Sequence, residues 1–134
     1  FKHEVKRTNI TIDEDGVGGG VVDMLPNCRG FVNNSRALNS ENFKNLKTQC
    51  YYKLAEKINK NEIGITTNDI MIKQYIIEEL EQVRSKDHDK DTKLSIISKD
   101  VIKSLIGRSP DFADSLAMRM YHEVQKNYGR YFVQ

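Results

Sequence analysis

The sequence lacks any apolar run approaching the roughly 18 to 20 residues that a membrane helix needs, and it shows no signal-peptide pattern. No membrane-spanning helix is expected, and a cytosolic location is the default. Cysteine is scarce. Cys28 and Cys50 stand alone, without a CxxC or Cys/His spacing, which points to buried small hydrophobes and away from a disulfide framework or zinc site. The three histidines, His3, His88 and His122, are scattered and form no metal motif. Charge of one sign is also lacking. Lys+Arg of 21 against Asp+Glu of 19 leaves +2, so net charge by itself gives no reason to expect a nucleic-acid partner. There is no internal repeat and no low-complexity tract.

What is present fits one soluble globular domain of 134 residues, 38% hydrophobic and 30% charged. The chain opens at Phe1 and reaches a strand after a short polar, basic lead, so it is expected to be a piece of something longer. Its most distinctive stretch is Ile10 to Asp23. The apolar run Ile10-Thr11-Ile12 meets the acids Asp13, Glu14 and Asp15, then glycines at 16, 18, 19 and 20. Such a pattern predicts a strand ending at a tight turn, with the glycines permitting positive φ and close backbone approach. A short helix around Val21 to Leu25 and a second strand over Arg29 to Asn33 would complete a compact βαβ unit.

Further along, Ser40 is the expected N-cap of an amphipathic helix over Phe43 to Ile58, on which Phe43, Leu46, Cys50, Tyr51, Leu54 and Ile58 keep helical spacing. Its lysines form a solvated face. Thr67 or Asn68 caps a helix running to about Arg84, with Met71, Ile72, Tyr75, Ile76, Leu80 and Val83 inside and Glu78, Glu79 and Glu81 outside. Ser85 to Thr92 is a polar surface loop, Lys93 to Ser98 a strand, and Val101 to Ile106 a short helix closed by Gly107. Ser109 and Pro110 open a last helix carrying Phe112, Leu116, Met120 and Val124.

The glycine run fails the familiar phosphate motifs. No Lys-Ser or Lys-Thr follows it, as a Walker loop requires, and Val21 stands where a dinucleotide fingerprint needs glycine. An EF-hand also fails, because its twelfth position is Met24. What remains is an acid at a strand end and a second acidic cluster, Asp111 and Asp114, at the start of a distant helix. Carboxylates from separate elements are what two divalent cations about 4 Å apart need to clamp a phosphodiester for attack by water. The same acids also suit plainer roles, a strand end for Asp13 and a helix-dipole partner for Asp111.

Three segments together, IDEDGVGGGVVDML, NFKNLKTQCYYKLAEKIN and KDVIKSLIGRSPDFADSLAMR, resemble the nuclease domain of tailed-bacteriophage terminase large subunits. The resemblance spans most of the chain in order. It implies a ribonuclease H-like α/β fold, a mixed sheet flanked by helices, and an acidic centre using Mg²⁺ or Mn²⁺ to cut concatemeric double-stranded DNA during packaging. Position by position, it makes Asp13 and Asp114 the catalytic acids and Asp13, Asp111 and Asp114 the metal ligands, with Asp15 an alternative to Asp13. Beside the acidic helix start, the basic cluster Lys99, Lys103 and Arg108 is expected to hold DNA phosphate, in a cutting domain or in a purely binding one. Implied partners are a terminase small subunit and a portal protein, in the host cytoplasm.

The sequence departs from this family in lacking the first catalytic aspartate, its strand, and the ATPase half. Residues 1–134 are thus expected to be the carboxy-terminal part of a nuclease domain, weak or inactive alone, and prone to self-associate through exposed sheet edges. The competing readings are a non-catalytic DNA-binding or assembly module and a small structural domain with solvated acids.

Overall fold

The computed structural model describes residues 4–86 and 92–125. Strand β1 (Thr11–Asp13) runs parallel to β2 (Arg29–Phe31), pairing Thr11 with Arg29, Ile12 with Gly30 and Asp13 with Phe31. Helix α1 (Gly18–Met24) makes the crossover, as the βαβ pattern requires. It begins within the glycines, ahead of the expected start at Val21. Gly16 takes φ +81, and a Cβ at Gly18 would collide with the Asp13 carbonyl oxygen, so the turn and the close approach each need glycine.

Helix α2 (Leu46–Asn59) buries Leu46, Cys50, Tyr51 and Leu54. Its N-cap is Asn45, not Ser40: Asn45 Oδ1 accepts from the Thr48 N–H at 2.9 Å. Ser40 sits instead in a turn with φ 55. Phe43 precedes the helix and bridges to Leu94. Helix α3 (Ile70–Gln82) is capped by Asp69, one residue past the expected cap, through bonds from the Met71 and Ile72 N–H groups.

The burial of α3 departs furthest from expectation. Of the six residues placed inside, Met71 is 53% exposed and Tyr75 37%, while Glu79, placed outside, is 0% exposed. A buried carboxylate is tolerable only when charge and hydrogen bonds compensate it. Glu79 has both, from Arg108 and the Ala113 N–H.

Strands β3 (Ser85–Lys86) and β4 (Ser95–Ile96) form a short antiparallel pair, so the strand expected over Lys93 to Ser98 contracts to two residues. Among the described residues there are two separate two-stranded sheets where one mixed sheet was expected. The segment beside Phe43 reaches Leu94 only by an isolated bridge, which leaves the two ladders unjoined. Ser98 caps helix α4 (Lys99–Ile106), and Gly107 ends it at φ 73 as the sequence predicts.

The final helix divides at Met120 into α5 (Asp111–Arg119) and α6 (Tyr121–Gln125). Ser109 does not cap α5. Pro110 occupies the N-cap position and offers no side-chain bond. Small Ala113 and Ala117 let α5 pack closely on α2, forming a core with Phe31, Cys50, Tyr51, Leu54, Met120 and Val124. Each large apolar side chain buried there contributes about 1.5–3 kcal/mol. Both cysteines are free thiols. Cys50 is buried, which pushes its pKa up to about 12, and Cys28 is half-buried. No described helix is long and apolar enough to cross a membrane.

Candidate acidic site

The parallel register of β1 and β2 places the residues just beyond the two strands side by side. Asp15 lies two residues past Asp13, and Asn33 two past its partner Phe31. The Asn33 side-chain amide donates to Asp13 Oδ1 at 3.1 Å and to Asp15 Oδ2 at 2.5 Å. The Asn33 backbone N–H also donates to Asp15 Oδ2 at 3.1 Å, and the Asp15 N–H to Asp13 Oδ1 at 3.2 Å. One asparagine thus orients both acids. The sequence predicts Asn33 as the last residue of the second strand, but β2 stops at Phe31, and the strand register is what brings Asn33 to the two acids.

Asp114 is the enclosed acid of the second cluster, its side chain 16% exposed, whereas Asp111 is 78% exposed. Tyr51 from α2 donates to Asp114 Oδ1 at 2.7 Å, and Lys47, one turn earlier, reaches the same oxygen at 2.8 Å. Lys99, the first residue of α4, holds Oδ2 at 2.8 Å. Burial opposes ionisation of Asp114, but hydrogen bonds from Lys47 and Lys99 outweigh it and hold its pKa below the usual carboxylate value. Burial, then the Asp114 charge, keeps the Tyr51 hydroxyl protonated by raising its pKa.

Lys99 joins the two acids of α5: besides its bond to Asp114 it stands 4.0 Å from Asp111. The Asp114 hydrogen bond is the largest of the influences that raise its pKa. Among the described residues, no group of three or more His, Cys, Asp or Glu side chains is placed to hold a metal ion. Lysine ammonium groups occupy the Asp114 oxygens. The donor chemistry suits a hard divalent cation: the acids are oxygen ligands, and Asp111 and Asp114 already share one cation, Lys99.

The expected basic cluster divides. Lys99 and Lys103 stand one turn apart on α4, and Lys103 is exposed. Arg108 turns to α3, pairing with Glu79 and with Glu78 at 2.7 Å and lying 4.3 Å over the Tyr75 ring. His122 meets the Thr11 hydroxyl on β1 at 2.7 Å. His3, His88, most of the 85–92 loop and the Tyr128 to Gln134 terminus lie outside the described residues.

No family model matches the sequence, and no curated protein matches it. The fold, a mixed α/β one, does have counterparts among solved structures. It is similar to the nuclease domain of the large terminase subunit gp2 of bacterial virus Sf6, with TM-score 0.64 and 21% identity over 82% of this chain and 63% of that one. A lysine-to-alanine variant of the same domain, solved with manganese and β-thujaplicinol, gives TM-score 0.65 at 20% identity, over 82% and 63% of the two chains. The corresponding variant with calcium gives 0.64 at 21% over the same shares. The chain thus spans a little under two thirds of the length of the domains it matches, and at this identity the likeness is one of fold.

Proposed function

We propose that residues 1–134 are part of a ribonuclease H-like nuclease domain of a phage terminase large subunit, a hydrolase that cuts concatemeric double-stranded DNA with two divalent metal ions. The observation that carries this reading is the packing of α5 against β1, which sets the helix bearing Asp111 and Asp114 beside the strand that ends at Asp13. The likeness in fold to Sf6 nuclease domains, solved with manganese or calcium, supports it.

In this reading Asp13 and Asp114 are the catalytic acids, and Asp13, Asp111 and Asp114 hold Mg²⁺ or Mn²⁺. When bound, such ions polarise a phosphoryl oxygen and lower the pKa of an attacking water. The chain supplies the positioning. Asn33 fixes Asp13 and Asp15 at the strand end, Tyr51 and Lys47 orient Asp114 from the core side, and Lys99 balances the acids' charge. Lys99 and Lys103 present positive charge toward DNA phosphates, while Arg108 serves the fold through Glu79. The small terminase subunit and a portal protein are the proposed partners, in the host cytoplasm.

Nicking of supercoiled plasmid tests the reading. Slow, Mn²⁺-dependent nicking that disappears in Asp13→Asn and in Asp114→Asn is expected. Nicking equal in both variants and the parent chain would contradict it.

A further inference from the structure

Beside the acids lies a groove of about 600 Å³ into which Lys44, Lys47, Lys86 and Lys99 all face, with no acid among its described lining residues. Such a volume is ordinary for a ligand site, but a lining of four cations is not. The groove is built from separate elements tied together. Asn45 at the head of α2 donates to Asn34 Oδ1 at 3.0 Å, joining the helix to the segment after β2. The Lys44 N–H bonds the Leu94 carbonyl at 2.9 Å, which brings the β3–β4 pair alongside, and the β-register sets Lys86 opposite Ser95.

The groove and the acidic site share a wall. Lys47 and Lys99 face both, as does Asn33. Lys44 and Lys86 lie on the groove side only and are exposed. The first N–H groups of α2 are already bonded: Leu46 to Ser35, Lys47 to Asn33, and Thr48 to Asn45. An anion here is therefore met by side chains, not by a vacant helix end.

We infer that this groove carries the phosphodiester backbone of the strand leading away from the acidic centre, with Lys44 and Lys86 as phosphate contacts outside the cutting site. The inference rests on the nuclease reading above for its substrate class. Four cations lining one cleft suit a backbone that brings one negative charge per nucleotide, and side chains of this kind position a strand without reading its sequence.

The test is fluorescence anisotropy of a short labelled DNA duplex binding the whole 134-residue chain in EDTA, read as a function of salt. With metal removed, the assay reports the groove and not cleavage, so either can fail while the other stands. The Lys44→Gln/Lys86→Gln double variant should lower the slope of log K against log salt by about 2, so that its affinity falls roughly tenfold less than the parent's between about 50 and 200 mM salt. A Lys53→Gln/Lys57→Gln variant loses the same charge from side chains paired with Glu56 and Glu62, and should match the parent. Binding of poly-glutamate in preference to the duplex would overturn the inference. So would a parent chain that binds no duplex, or equal slope changes in the two double variants.

Discussion

The Glu79 carboxylate, carried on α3 and wholly shielded from solvent, accepts a 2.8 Å hydrogen bond from the backbone N–H of Ala113 in the first turn of α5. Pro110 gives that helix no side-chain cap, so an acid from another helix takes the place of one. Negative charge at a helix N-terminus also opposes the helix dipole favourably. Asp114 follows Ala113 directly, so Glu79 helps fix the acid of the candidate site.

Glu79→Ala leaves the Ala113 N–H buried without its partner, a loss of about 1–3 kcal/mol before any cavity is counted. Glu79→Gln keeps an acceptor and should cost less. Arg108→Ala should be destabilising as well, because it leaves the Glu79 charge buried with its ion pair broken, and adding Glu79→Gln should recover part of the loss. Urea unfolding of these variants checks the order.

Asp114 makes stability depend on pH. Its folded pKa lies below the ordinary carboxylate value of about 3.9, so its contribution is complete above that value and is lost as pH falls through the lower folded one. Tyr51→Phe removes a hydrogen bond to the ionised form. The variant should show a higher Asp114 pKa by NMR titration and begin acid unfolding at higher pH than the parent.

The glycines of α1 should respond in opposite senses to alanine. Gly18→Ala drives a methyl into the Asp13 backbone and should disturb the β1 turn strongly, whereas nothing lies within 4 Å of a Cβ at Gly20. Since Gly20 is helical, Gly20→Ala should stabilise by about 1 kcal/mol. Thermal melts of the two variants separate these outcomes.

Features set by neighbouring residues were readable from the sequence. Asp13 at a strand end, the glycine turn behind it, the Gly107 cap and the buried Cys50 each follow from local pattern. Glu79 was not readable that way. Nothing in its helix announces burial, because its partners Arg108 and Ala113 are 29 and 34 residues away. Asn45 displaced Ser40 as a cap because Ser40 lies in a turn and the chain bridges to Leu94 at Phe43 before α2 begins, and Asn33 gained its role only through strand register. The resemblance carried by three segments agrees with the fold likeness to terminase nuclease domains, yet it did not anticipate that Lys47, Lys99 and Tyr51 would enclose Asp114.

The central claim is that acids from β1 and α5 form one divalent-cation site, and titration of the chain with Mn²⁺ followed by electron paramagnetic resonance tests it most directly. The account predicts Mn²⁺ binding that weakens at least about tenfold, or roughly 1.4 kcal/mol, in Asp13→Asn and likewise in Asp114→Asn. No binding by the parent chain, or binding unchanged in both variants, would contradict it.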